Sequence, residues 1–280
     1  MTAASSKTLT PPATNRVPLW DNARFLCMLL VVIGHSIQRL TIESDSALIV
    51  YLVIFSFHMP AFAIISGYFT RSSPPTALQM KKVLLDILLP YLIMEIIWST
   101  IVSLEAGRLV FNPTQANWTL WFLLALAIFR LVLPYLALLR WPLLWAVALS
   151  LGVGFFANVD STFSLSRAIG ILPFFVLGWK VREWNLFERW NSAVRAVVWL
   201  RSAAVTVIAV WIAVVIVFIG EFRAITVQQW FFYDASYSEI GDVHWWSAPT
   251  RLGFMVLAVV LSAAFLALIP RGETWFTTFG

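Results

Sequence analysis

The chain has 280 residues, of which 60% are hydrophobic and only 12% charged, with a net charge of +5. A soluble domain carries roughly a quarter charged residues, so about half that share leaves too little polar surface to cover a globule in water. The same numbers exclude a disordered or collagenous chain and make the lipid bilayer the solvent to reason in. A single cysteine, Cys27, excludes an internal disulfide, and three histidines exclude a His-rich metal site. No metal site is expected, because no histidine pair or Cys/His/carboxylate cluster has ligand spacing.

In chain order, residues 1–17 are small, polar and proline-bearing and read as a disordered tail without the apolar core of a signal peptide. Eight apolar runs follow: Leu19–Leu40, Ala47–Thr70, Val83–Leu104, Leu120–Leu138, Trp141–Ala157, Ala168–Val181, Val197–Gly220 and Leu252–Ile269. Most approach the ~20 residues that cross ~30 Å of hydrocarbon at ~1.5 Å per residue. Trp141–Ala157 and Ala168–Val181 are short, the second able to start near Leu165. The runs are continuous and do not alternate, which excludes a membrane β-barrel. The expected fold is therefore all-α: a polytopic integral membrane helical bundle of about eight complete transmembrane helices, with a ninth starting at the C-terminal TWFTTFG.

With the N-terminus inside, twelve Lys and Arg fall in inner segments and five in outer ones, while Arg24 and Arg130 lie within spans. This asymmetry follows the positive-inside rule and puts the N-terminus in the cytoplasm of a multi-pass protein of the plasma (inner) membrane. The basic sum is thus a topology signal, and no nucleic-acid partner is expected. The longest outer connection, Glu221–Thr250, is rich in Trp and Tyr and reads as an element resting at the membrane interface. His244, beside Trp245 and Trp246, reads as a solvated loop histidine.

A few polar residues interrupt the runs. The first, LWDNARFLCMLLVVIGHSIQRL, holds Asp21, Arg24 and His35. Arg24 and His35 are eleven residues apart, about three turns and ~16 Å of rise, so they share one face at different depths. Asp21 lies three residues before Arg24, within pairing reach. Ionisable groups on a spanning helix are costly unless they face protein or water, which makes them functional candidates. The second run, FSFHMPAFAIISGYF, places His58 before Pro60, where a kink is expected. For His58, a hydrogen bond that steadies the kink and a catalytic role both stand open. Ser66 and Gly67 permit close helix approach. In NWTLWFLLALAIFRLVLP, Trp118 and Trp121 resemble an aromatic belt and Arg130 sits deep. In SRAIGILPFFVLGWKVRE, Arg167 enters from the outer side and Pro173 breaks the hydrogen-bond ladder.

Arg24-x10-His35 preceded by Asp21, then FHMPAFAIISGYF, LWFLLAL and ILPFFVLGWKVRE, resemble in order and spacing the blocks of the membrane acyltransferase family 3, which includes fucose 4-O-acetylase-like proteins. The resemblance covers residues 18–182 and, more weakly, the rest. It implies a ten-helix membrane O-acyltransferase that moves acetyl groups from cytoplasmic acetyl-CoA to sugar hydroxyls of envelope glycans or glycolipids. The family's arginine and histidine map onto Arg24 and His35. Thr119 stands where several members carry a polar residue or His, and residues 18–280 fall one or two helices short of the family pattern.

Acyl transfer from a thioester requires a base, an oxyanion partner and a grip on the carrier. His35 is the expected base, with acyl carriage by its ring left open. Arg24 is expected to bind a coenzyme A phosphate, oriented by Asp21, and Arg130 to add positive charge. His58, Arg167 and Trp121 are the expected substrate contacts. The expected partners are acyl-CoA as co-substrate, an envelope carbohydrate or glycolipid acceptor, and the bilayer; no cofactor is held permanently. The alternative is a transporter or flippase for a lipid-linked or acylated envelope precursor. Charge concentrated in the first run, and not in matched halves, weighs against it.

Overall fold

In lipid, backbone N–H and C=O groups must find partners within the protein, which favours helices. Every regular element among the described residues is helical. The structure, a computed structural model, describes residues 17–187, 189, 194–241 and 243–280, and of residues 194–197 the backbone only. Residues 1–16 of the expected tail, with Lys7 and Arg16, and the outer Asp242 lie outside the described residues, as does the side chain of Arg195.

The helices in chain order are α1 (Pro18–Ile37), α2 (Asp45–Phe55), α3 (His58–Tyr68), α4 (Ala77–Val83), α5 (Leu89–Ala106), α6 (Trp121–Leu136), α7 (Pro142–Val153), α8 (Leu165–Glu183), α9 (Val194–Val217), α10 (Ile219–Ala224), α11 (Gln228–Phe232), α12 (Tyr237–Ile240) and α13 (Ser247–Leu268). Among the described residues, seven stretches are long and apolar enough to cross a membrane: Pro18–Thr41, Asp45–Tyr68, Ala77–Ala106, Trp118–Leu136, Thr162–Glu183, Val198–Val217 and Ser247–Leu268. The chain is thus an all-helical membrane bundle. The remaining expected crossing, Trp141–Ala157, is the twelve-residue α7. It rises about 18 Å, short of the hydrocarbon core, and lies against α8.

The residues TWFTTFG, read as the start of a ninth helix, hold one 3-10 turn, Thr277–Phe279. They fold back onto α1, where Asn22 is fully buried. Its Nδ2 donates to the carbonyls of Pro270 (2.9 Å) and Gly272 (3.0 Å), and its Oδ1 accepts from the hydroxyls of Thr274 and Thr277. Phe25 stacks on Phe276 at 5.0 Å, completing the fold-back onto α1.

Two spans are interrupted where the sequence requires it. Pro60 has no N–H for the carbonyl of Ser56, and the helix breaks between α2 and α3. The break is sealed by polar contacts: Trp211 Nε1 donates to Ser56 Oγ (3.1 Å) and Ser262 Oγ to the Phe57 carbonyl (3.3 Å). Pro90 acts likewise on Asp86, and the chain relaxes through one π turn, Leu84–Leu88, between α4 and α5. Pro173 removes one N–H from the hydrogen-bond ladder, and α8 nevertheless runs through it as one helix. At the centre, α3 and α8 pack backbone to backbone. A Cβ on Gly67 would overlap the Phe175 carbonyl, and one on Gly178 the Ile64 carbonyl, so only glycine admits this approach.

The segment Glu221–Thr250 departs from the interfacial element expected. Trp230, Phe231, Tyr233 and Tyr237 are buried, and only Trp245 and Trp246 of its tryptophans are exposed. The segment packs into the bundle through these aromatics, and Arg223 bonds Asp45 and the carbonyls of Thr41 and Ile42, joining α10 to the start of α2.

Candidate active site

Helix α1 holds the two candidates of the first span on one stripe, and each opens into its own cavity. Near the N-terminal end, Arg24 Nη1 donates to Asp21 Oδ1 at 3.0 Å, and its guanidinium lies 4.5 Å from the Phe69 ring. Arg24 lines a cavity of about 550 Å³ together with Arg71, Lys82 and Arg130. Ser66, Thr70, Ser73 and Gln79 add hydroxyl and amide groups, and no acidic residue is in the lining. The structure thereby joins Arg24 to Arg130, which enters from α6, and adds Arg71 from the α3–α4 connection and Lys82 from α4.

Three turns further along α1, His35 lines a second cavity of about 500 Å³, whose wall also includes His58, Trp121 and Arg167. His35 Nδ1 lies 3.3 Å from Gln38 Oε1. The Phe55 ring stands between the two imidazoles, 5.5 Å from His35 and 4.7 Å from His58, and Trp118 meets His35 edge-on at 5.2 Å. His58 is fully buried, and its Nδ1 bonds the Ile54 carbonyl at 2.9 Å, which at the helix break also accepts the Phe57 amide (3.3 Å). The kink-steadying contact is therefore present, and it leaves Nε2 buried without a partner. Arg167 pairs with Asp234 and lies 4.6 Å over the Trp121 ring, while its buried Nε has no partner. Trp121 is itself buried, a cavity wall and not a member of an outer belt.

The two cavities share one lining residue, Phe62 of α3, whose ring meets Phe122 edge-on at 5.2 Å. On the far side of His35, a third space of about 810 Å³ is lined by Arg39, Tyr51, Trp98, Trp118, Gln228 and Phe232. His35 therefore borders both the 500 Å³ cavity and a wider, aromatic vestibule. His244 lies apart from these cavities and stacks on Trp246 at 4.1 Å.

Sequence reasoning missed several of these groups. Gln38, one turn beyond His35, was signalled only by spacing. Asp234 and Gln228 belong to a connection read as interfacial, and nothing local marks their return to the site. Glu95, fully buried in α5, carried a plain signal, a carboxylate within an apolar run.

A family model described as an acyltransferase domain matches residues 18–280. The nodulation protein NolL of Mesorhizobium japonicum is 24% identical over 291 residues, covering 95% of this chain and 70% of that protein. No solved structure matches the chain.

Proposed function

The chain belongs to the acyltransferase family whose domain model spans residues 18–280, and from that premise we propose that it transfers an acetyl group from cytoplasmic acyl-CoA to a hydroxyl of an envelope sugar, glycan or glycolipid. The observation that carries this reading is the meeting at Phe62 of a cavity lined by Arg24, Arg71, Lys82 and Arg130 with one that contains His35. Four cations in a lining that contains no carboxylate suit the phosphates of coenzyme A, through charge-assisted hydrogen bonds. Arg24 and His35 are separated by ~16 Å along α1, a distance that an extended pantetheine arm spans. Phosphates held at Arg24 thus leave the thioester within reach of His35. Across the first three spans, Arg71, Lys81 and Lys82 fall at the Arg24 end and Arg39 and Arg108 at the other, and the positive-inside rule reads the Arg24 end as cytoplasmic, where acyl-CoA is found.

In this reading the Nδ1–H of His35 donates to Gln38, which leaves the Nε2 lone pair as the base. Nε2 takes the proton of the acceptor hydroxyl as its oxygen attacks the thioester carbonyl. The tetrahedral intermediate collapses with cleavage of the carbon–sulfur bond, and the imidazolium returns its proton to the departing thiolate. The products are an ester and free coenzyme A. Arg167 Nε–H, the unpartnered donor of this cavity, serves the developing oxyanion or an acceptor oxygen. His58 Nε2, with its other nitrogen committed to Ile54, accepts from a second substrate hydroxyl, and Trp121 supplies a flat apolar wall. Asp21 holds Arg24 toward the cavity.

Replacing His35 with alanine tests the reading. Removing a general base costs about 10²- to 10⁴-fold in rate, so His35→Ala membranes should insert normal amounts of protein and transfer almost no label from acetyl-CoA. Full transfer by that variant would dismiss the assignment of His35. Movement of an envelope precursor across vesicles without loss of acetyl-CoA would replace transfer with transport.

A further inference from the structure

Helix α5 carries a second constellation, away from the charged cavities. Leu92, Ile93, Met94, Ile96 and Ile97 are between 42% and 54% exposed, the surface of a helix that faces lipid. Tyr91, Glu95 and Ser99, four residues apart, are nearly or fully buried. With Ser103 they form one polar stripe, and each grips the strap of residues 107–120. Tyr91 Oη donates to the Pro113 carbonyl (2.7 Å), and Ser103 Oγ accepts from the Val110 amide (2.8 Å). The strongest grip is Glu95: Oε2 accepts the Asn117 amide (3.1 Å) and Oε1 accepts both Asn117 Nδ2 (2.5 Å) and Ser99 Oγ (3.3 Å). A buried carboxylate in a lipid-facing helix is costly unless each oxygen is satisfied, and here a single asparagine supplies most of the donors.

The next residue is Trp118. Its φ is +49°, a left-handed conformation that a bulky side chain keeps only where its surroundings over-determine it. Its ring meets His35 at 5.2 Å and Trp98 of α5 at 5.4 Å, and it lines both the His35 cavity and the outer vestibule. Asn117, bonded through main chain and side chain, fixes the start of this turn.

We infer that Glu95 is a positioning residue for acyl transfer: through Asn117 it holds the Trp118 turn so that the indole packs on His35 in the wall that the His35 cavity shares with the vestibule by which the acceptor arrives. The inference rests on the proposed transfer reaction for its kinetic consequences and on geometry alone for the wall. Glu95→Gln retains the size of the side chain but turns one acceptor into a donor that faces the Asn117 donors. Pairing it with Asn117→Asp reverses donor and acceptor and restores both contacts.

The test uses the full chain in lipid nanodiscs, acetyl-CoA as donor and envelope extract from cells lacking the protein as acceptor. Glu95→Gln should raise the KM for the extract about tenfold, the loss of one charged hydrogen bond, and leave the KM for acetyl-CoA unchanged. Trp118→Ala should do the same, and the two together should be no worse than Trp118→Ala alone. The Glu95→Gln/Asn117→Asp exchange should recover the acceptor KM. In parallel, diethyl pyrocarbonate should modify the His35 peptide faster in Glu95→Gln than in the parent, read by mass spectrometry. Unchanged acceptor KM and unchanged His35 modification in Glu95→Gln overturn the inference. So does a rise in both KM values together, the mark of a general loss of structure. If the parent protein consumes no acetyl-CoA, the reaction fails but the His35 modification rates still decide the wall. If Glu95→Gln does not accumulate, Trp118→Ala, which leaves the stripe intact, decides by the same measurements.

Discussion

Replacing Arg24 with glutamine asks whether the four-cation cavity binds coenzyme A. Glutamine is shorter and keeps a neutral amide donor, and the positive charge is lost. A hydrogen bond to a charged group contributes about 1.5–3 kcal/mol. Arg24 belongs at the low end, because its side chain is 34% exposed and partly neutralised by Asp21 at 3.0 Å. Arg71, Lys82 and Arg130 remain in the cavity to hold the other phosphate oxygens. A loss of about 1.5 kcal/mol is about a tenfold rise in Kd. Equilibrium binding of labelled coenzyme A to protein in nanodiscs reads this directly, with the difference shrinking as salt screens the partly exposed charge. Two results would refute the reasoning: an unchanged Kd in Arg24→Gln, or equal weakening of coenzyme A and acceptor binding. The second would make Arg24 the structural half of an ion pair, with no part in holding the donor.

Phe62 is the residue common to the two inner cavities, so Phe62→Trp should obstruct the path between them. Turnover should fall several-fold while coenzyme A affinity, set in the basic cavity, stays at the parent value; parental turnover would show that the donor does not pass Phe62. Gly178→Ala drives a methyl group into the Ile64 carbonyl and forces α3 from α8. Overpacking of this kind costs about 1–3 kcal/mol, read as a lower melting temperature in detergent, and an unshifted melt would mean that the two helices part without cost.

How much of this was legible in the sequence depends on how far apart the deciding partners lie. The spans were legible because the bilayer imposes length and composition on each run separately. The break at Pro60 was legible because a missing N–H acts four residues away. The Arg24–His35 stripe needed only helical periodicity, as did the pairing of Arg24 with Asp21. The fold-back of residues 270–280 was not legible, because it is decided by Asn22, some 250 positions away. The same holds for Arg167, which finds Asp234 across 67 positions, and for the aromatic connection after α9. Its tryptophans and tyrosines have the composition of an interfacial anchor, yet Arg223 ties that connection to the top of α2 and delivers Phe231 and Phe232 to the wall of the His35 cavity.

Glu95 differs from these, since its type and its place in an apolar run already marked it as a residue that needed a partner. Period and composition could flag the cost of burying it but not the group that offsets that cost, which arrives from the next connection as Asn117. In a bilayer protein an unexplained polar residue is therefore half of a pair whose other half the helical period does not reveal. The charges at Arg24 and Arg130 drew attention because they resembled chemistry. The neutral-looking strap that they overshadowed is where the structure places the nearest aromatic neighbour of His35.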